Sequence, residues 1–472
     1  MNGIPMWRVL YNVLLLLAAP VVVAVLWAKP RCRRGMAQRL GLEDSLSRLS
    51  GLFGLSRRSH RPDRPDEPDR PDRPERPVIW VHAVSLGEVV AAVPLVKALQ
   101  GRHPEYRYIV TTVTETGREA VEQRLAGVAE HRYAPLDFSW AVTGMVDRLR
   151  PRLYLFVETE LWPNLLWTLR DRRVPAILVN GRLSSRSFRR QDIVGIRAFY
   201  RSVLRSVTLC LMQSDRDRER ITALGADPAR VQTTGNIKFD QPLPEKSGDR
   251  SLRRSLGVNE REQLFLAGST HEGEEELLLS AYGQVAKIHP SLVLMMAPRH
   301  LERVDRVEAM TRERGFLALR KSQMCGAVEG PRVIILDTRG ELARAYGEAA
   351  VAFVGGTLVP VGGHNLLEPA VWGKPVLFGP YTDHCAEVAA LLSEAGGGRR
   401  VGGVDDLVRN LSEWLGDRRA CETVGQVARR VVLDNQGALN RSLEMIETCL
   451  NPAAAHSNRV IEAAPGPAMA RP

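Results

Sequence analysis

From Val78 onward, short apolar runs alternate with longer segments of mixed polarity, and this alternation limits the fold more than any other feature. The first series of runs covers residues 79–84, 108–112, 153–157, 176–180 and 208–212. A second series covers 264–267, 292–297, 333–336, 351–354 and 376–378. Runs this short that are apolar without alternation read as strands buried on both faces, which requires parallel sheets covered by helices. The two series are separated by residues 241–249, rich in Pro, Gly and charge. The expected fold is therefore α/β, with two Rossmann-like domains, residues 78–245 and 246–450, facing each other across a cleft. A chain of 472 residues, 44% of them hydrophobic, can fill two such cores. The alanine- and proline-rich tail, 451–472, reads as disordered.

Residues 9–28 are apolar except for Tyr11 and Asn12, and the run is long enough to span a bilayer. Lys29, Arg31, Arg33 and Arg34 follow it, whereas Arg8 alone precedes it, which places the remainder of the chain in the cytoplasm. A cleaved signal peptide fits less well, because the run is long and the basic cluster lies on the wrong side. An interfacial hairpin bent at Pro20 is a third reading. Residues 1–34 are thus expected to be a membrane anchor with a basic flank, and 35–77 a linker. Within that linker, 61–77 alternates Arg, Pro and Asp or Glu, the pattern of a stiff, solvated spacer.

The formal net charge of +11 suits nucleic acid, anionic lipid or phosphorylated substrates. There is no zinc-finger spacing, RNP motif or basic helix stripe, so nucleic acid is not an expected partner. The six cysteines are scattered with no C-x-x-C pair, which indicates neither a disulfide framework nor a metal site and fits a reducing compartment.

Candidate chemistry gathers where strands end. After the run 351–354 come Gly355-Gly356 and Gly362-Gly363-His364, then a segment that reads as a helix starting near Asn365. Glycines let backbone N–H groups approach a phosphate, and a helix N-terminus favours its charge. Glu368, one turn in, is placed to accept ribose hydroxyls. The alternative is a capped βα turn, with Asn365 as N-cap and Glu368 as its capping-box partner. Ala297-Pro298-Arg299-His300 follows another strand, where a guanidinium can hold a phosphate bidentately. Asp337-Thr338-Arg339-Gly340-Glu341 and Gly268-Ser269-Thr270-His271-Glu272-Gly273-Glu274 end two more. So many phosphate-suited strand ends in one domain suggest a nucleotide.

In the first domain, Glu88 follows the first strand and is placed to act as general base on an acceptor hydroxyl, or else to complete a capping box with Ser85. The helix dipole there lowers its pKa unless burial compensates. Glu158 and Glu160 follow a buried run and would share a face if the strand continued through them. Lys238 can neutralise a phosphate or a carboxylate, or lie on the surface. Asp215-Arg216-Asp217 has the D-x-D form of metal sites in sugar transferases, but Ser214-x-x-Asp217 reads as a capping box, so no metal is expected.

The segments HAVSLGE, VETELWPN, GNIKFD, STHEGEE, APRH, DTRGE and GGHNLLEPA, in this order, resemble the 3-deoxy-D-manno-octulosonic acid (Kdo) transferases of Gram-negative lipopolysaccharide synthesis. The similarity runs over residues 78–450. It implies a GT-B fold and transfer of Kdo from CMP-Kdo to a lipid A precursor at the cytoplasmic face of the inner membrane. By motif, Glu88 resembles the general base. Glu158 and Lys238 resemble residues that stabilise the transition state. Pro298 and Arg299, the turn Arg339, Gly340 and Glu341, and the run Asn365, Leu366, Leu367 and Glu368 resemble CMP-binding segments. The family reaction inverts the anomeric centre without a bound metal or cofactor. Leu86 and Ile237 are conservative variants of the family pattern. Arg339 replaces a residue often apolar, which favours a backbone contact there.

Overall fold

A computed structural model describes residues 6–28, 35–42, 76–240, 250–324, 328 and 330–450. The basic flank 29–34, most of the linker 35–77 with its charged spacer, and the tail 451–472 lie outside the described residues.

The chain forms two units, each built on a seven-stranded sheet in which every pairing is parallel. In the first unit the strands are β1 (Val78–His82), β2 (Arg107–Thr112), β3 (Glu130–Tyr133), β4 (Pro151–Val157), β5 (Ala176–Gly181), β6 (Leu209–Met212) and β7 (Val231–Thr233), in the order β3-β2-β1-β4-β5-β6-β7. In the second they are β8 (Gln263–Thr270), β9 (Leu292–Pro298), β10 (Leu317–Arg320), β11 (Arg332–Ile335), β12 (Val351–Val354), β13 (Val376–Phe378) and β14 (Gly398–Arg400), in the order β10-β11-β9-β8-β12-β13-β14.

Side chains alternate between two cores because successive Cβ atoms point to opposite faces. Val78 and Trp80 enter one core of the first unit, Ile79 and Val81 the other. In the second unit Leu264 and Leu266 face one way, Phe265 and Ala267 the other. Each fully buried aliphatic side chain contributes roughly 1.5–3 kcal/mol, so central strands apolar on both faces hold each unit together.

The domain limits differ from the expected 78–245 and 246–450 at both ends of the second unit, which opens at Phe239. The second unit closes at Gln436, and the helix Ala438–Leu450 returns to the first. There Leu443, Ile446 and Leu450 complete the core that holds Leu95 and Leu99 of the helix Leu86–Arg102. Arg102 pairs with Glu447 at 3.0 Å, and Arg441 Nε donates to the Thr234 carbonyl at 2.8 Å.

The helix Met6–Ala28 is docked on the first unit along one face. Trp7 and Tyr11 pack against Phe199, with ring centroids 6.1 and 5.7 Å away. Tyr11 Oη donates to Asp137 at 2.9 Å, and Asn12 exchanges two side-chain hydrogen bonds with Asn164, both 2.9 Å. Asp137 in turn accepts the Asn164 and Leu165 N–H groups at the start of the helix Pro163–Asp171. Val9, Leu10, Val13, Leu14, Leu16 and Leu17 remain exposed. Among the described residues no helix is long and apolar enough to cross a membrane.

Candidate active site

In an open parallel sheet, ligands collect beyond the carboxyl ends of the two strands where the strand order reverses. In the first unit those strands are β1 and β4, and in the second β8 and β12. Of the residues singled out from the sequence, Glu88 and Glu158 follow β1 and β4, and Asn365 to Glu368 follow β12, whereas Lys238 follows β7, Pro298 and Arg299 come at the end of β9, and Arg339 to Glu341 follow β11.

Glu88 lies in the first turn of the helix that follows β1 and is 7% exposed. Its Oε2 accepts the Val84 N–H at 2.8 Å, and its Oε1 accepts the Ser85 hydroxyl at 2.9 Å. The expected capping box with Ser85 does not form. Ser85 is the N-cap but caps no backbone N–H, because its hydroxyl is turned onto the carboxylate. Burial pushes the Glu88 carboxyl up to about 7; the Val84 hydrogen bond opposes this, and Glu160 and Glu158 add to it. Burial thus outweighs the helix dipole, and the group titrates where a general base is most effective.

Strand β4 ends at Val157, so Glu158 and Glu160 do not share a strand face. Glu158 sits in the left-handed region at φ 57°, in a turn that carries its side chain to Lys238, whose Nζ donates to Glu158 Oε1 at 2.8 Å. Glu160 instead accepts from Trp162 Nε1 at 3.2 Å. Lys238 lies in the one-turn 3₁₀ helix Ile237–Phe239, and its own N–H is held by Asn236 Oδ1 at 3.0 Å.

The D-x-D pair is committed to structure. Ser214 caps the Asp217 N–H, and Asp217 accepts the Leu183 N–H at 2.7 Å. Asp215 accepts from Thr233 Oγ1 at 2.8 Å. Among the described residues no group of three His, Cys, Asp or Glu side chains is arranged to hold a metal ion.

In the second unit the glycine turn is filled from within. The N–H groups of Gly356, Thr357 and Leu358 donate at 2.8, 3.0 and 2.9 Å to Glu274, a fully buried carboxylate. The anion expected over Gly355-Gly356 is therefore the protein's own. A Cβ at Gly355 would lie 2.3 Å from the Ser269 carbonyl oxygen, so the close approach of β12 to β8 requires glycine. Asn365 Oδ1 accepts the Leu367 N–H at 3.1 Å, and its Nδ2 donates to Glu368 at 3.3 Å. The helix is shorter and later than expected, Leu367–Val371 with Leu366 as its first flanking residue. Pro298 ends β9, and the Arg299 N–H is tied to the Thr270 carbonyl at 3.0 Å. Arg339 and Gly340 form an exposed turn, Gly340 at φ 85°. Glu341 accepts the Thr338 hydroxyl and lies 3.7 Å from Lys321.

Comparison with known proteins agrees with the family resemblance. Residues 54–241 match the family described as 3-deoxy-D-manno-octulosonic-acid transferase (kdotransferase). The 3-deoxy-D-manno-octulosonic acid transferase of Haemophilus influenzae is 33% identical over 455 residues, spanning 94% of this chain and 99% of its own. The chain belongs to the Kdo transferase family. It is a glycosyltransferase by that membership. Two solved structures share its two-domain fold: UDP-GlcNAc 2-epimerase from Neisseria meningitidis (TM-score 0.55, 14% identity, 79% of this chain and 99% of that one) and MurG from Acinetobacter baumannii (TM-score 0.53, 14% identity, 79% and 99%). At such identity they establish the GT-B-like architecture alone.

Three residues that matter to this Kdo transferase site carried no clear signal in the sequence. Asn180, buried at φ 55° at the end of β5, accepts the Ile237 N–H at 3.0 Å and so sets the loop that bears Lys238. His82 is fully buried at the end of β1, held neutral by burial with its pKa down at about 4. Its Nδ1 is 3.0 Å from Thr111 Oγ1, its ring meets Trp162 edge-on at 5.1 Å, and its Nε2 has no partner among the described residues. Glu274 is the third, legible only as one acid in an acidic helix start.

Proposed function

We propose that this Kdo transferase moves Kdo from CMP-Kdo to the lipid A precursor of lipopolysaccharide, with Glu88 as general base. The observation that carries the reading is the Glu88 carboxyl, buried, raised to about 7 and oriented by Val84 and Ser85 at the switch point of the first sheet. Its ionised form takes the proton of the acceptor hydroxyl as that oxygen attacks the anomeric carbon of Kdo. CMP leaves from the opposite face, which inverts the centre. Lys238 offers positive charge near the developing negative charge, and Glu158 holds its ammonium in place while countering the oxocarbenium-like sugar. Pro298 and Arg299, the Arg339-Gly340-Glu341 turn, and Asn365, Leu366, Leu367 and Glu368 hold the CMP portion. The step needs no metal and no further cofactor.

The reaction is assigned to the cytoplasmic face of the bacterial inner membrane, with the helix Met6–Ala28 as the attachment. Its exposed leucines and valines support a helix lying in the interface, held to the enzyme by Tyr11 and Asn12. The net positive charge suits an anionic glycolipid and its bilayer. The test is CMP release from CMP-Kdo with and without tetraacylated lipid A precursor, in wild type and Glu88→Ala. Lipid-dependent release that collapses in the variant supports the assignment. Lipid-dependent release that survives it returns Glu88 to a structural role.

A further inference from the structure

Two histidines meet above the switch point of the second sheet. His271 follows β8 and His364 follows β12, the two strands between which the order reverses. Their rings are stacked 5° from parallel with centroids 5.1 Å apart, and the two Nε2 atoms are 2.8 Å apart. At that distance one nitrogen carries the hydrogen and the other accepts it. His300, after β9, meets His271 edge-on at 5.6 Å.

The pair is built in. The Glu274 carboxylate takes the His271 N–H at 2.9 Å as well as the three N–H groups of the glycine turn, which ties both histidine-bearing loops to one buried group. Gly356 makes room for the second ring: a Cβ there would lie 3.1 Å from His364 Cδ2.

The surroundings are short of negative charge. Arg299, His300 and His384 face His364; Arg299, His300 and Arg303 face His271. Of the nearby carboxylates, Glu274 is spent on backbone N–H groups, Glu272 and Glu275 lie 3.7 and 3.3 Å from Arg303, and the exposed Glu302 lies 3.5 Å from His300 Nδ1. The Arg299 guanidinium has no partner among the described residues. Burial first, then the neighbouring His and Arg side chains, lower both imidazoles below the ordinary histidine value, His364 to about 4. A cluster poor in counter-charge at a ligand-binding edge is a receptor for an oxyanion.

We propose that His271 and His364, beside Arg299, receive the phosphate of the donor's nucleoside monophosphate portion and take up a proton as it binds. When that proton goes to the accepting Nε2, both Nε2 atoms are donors, the Nε2–Nε2 hydrogen bond ends and one ring turns to donate to the phosphate. The inference rests on the donor reading above and adds the two imidazoles to it.

Calorimetry of the full chain with CMP and with cytidine tests it, run at pH 7.5, where CMP is a dianion, in two buffers of different ionisation enthalpy. The expected result is tighter binding of CMP than of cytidine, with net proton uptake for CMP alone. His271→Gln and His364→Gln each weaken CMP at least about tenfold, the scale of one lost charge-assisted hydrogen bond. Both leave cytidine affinity intact, which also certifies folding, and both abolish the uptake. CMP affinity unchanged in both variants, or no proton uptake by wild type, overturns the histidine assignment and leaves the donor reading standing. Failure of wild type to bind CMP overturns the donor reading itself.

Discussion

Lys238 Nζ and Glu158 Oε1 are 2.8 Å apart although the residues are eighty positions apart in the chain. The pair joins the turn after β4 to the loop after β7, and the first of these turns is left-handed at Glu158. Because the two side chains are partly solvated, with 31% and 20% exposure, the pair contributes little to stability, and its cost in backbone strain points to the reaction.

Lys238→Met and Glu158→Gln should each lower kcat by roughly 10 to 1,000-fold. The double variant should be scarcely worse than the poorer single one, because residues that act as a unit are not additive. Multiplicative losses in steady-state kinetics would show that the two act independently.

Glu88→Gln should cost about 100 to 10,000-fold in turnover. In wild type, kcat should rise with pH through about 7, as the base ionises. Stability runs the other way. The folded pKa is raised above the ordinary carboxylate value, so the folded state binds the extra proton and wild type loses stability as pH climbs from the ordinary carboxylate pKa towards 7. Thermal melts should therefore show Glu88→Gln matching wild type in acid and exceeding it above pH 7.

Tyr11→Phe removes one of the hydrogen bonds that Asp137 accepts. Burial raises the Asp137 carboxyl to about 7, so it is ionised only above that pH. The variant should be destabilised by about 1.5–3 kcal/mol there, the scale for a hydrogen bond to a charged group, and by less in acid. Urea unfolding at two pH values measures the difference; an equal loss at both would place the effect in packing against Phe199 and Trp167.

Glu274→Ala should destabilise the second unit by about 3 kcal/mol or more, since four backbone N–H groups lose their acceptor inside the protein. Hydrogen exchange at Gly356, Thr357 and Leu358 should accelerate. Exchange unchanged at these amides would mean that the glycine turn holds its shape without the carboxylate.

The ten inner strands were legible as apolar runs because both of their faces are buried. The four that were not, β3, β7, β10 and β14, are the four sheet edges. Sequences such as Glu-His-Arg-Tyr in β3 carry no apolar run because an edge is half solvated. Glu88, Glu158 and Lys238 were legible by motif and position, but their geometry was not. Ser85-x-x-Glu88 has the spacing of a capping box, and spacing does not reveal that burial and the Val84 N–H draw the carboxylate elsewhere. Likewise Gly355-Gly356 announces an anion without saying that Glu274, some eighty residues earlier, supplies it. Asn180 was invisible because its work is done by a backbone conformation at a strand end. Tyr11 and Asn12 stood out as the polar interruptions of an apolar run, and the structure shows them to be its points of attachment.

The return of the helix Ala438–Leu450 to the first unit has a consequence for biosynthesis. A ribosome makes the first seven strands early, yet Leu443, Ile446 and Leu450 of their core emerge only after the whole second unit has been translated. The nascent first half must wait with an apolar surface uncovered on the helix Leu86–Arg102, while the second half has every strand it needs in one continuous stretch. A helix made after the whole second unit is therefore what seals the first.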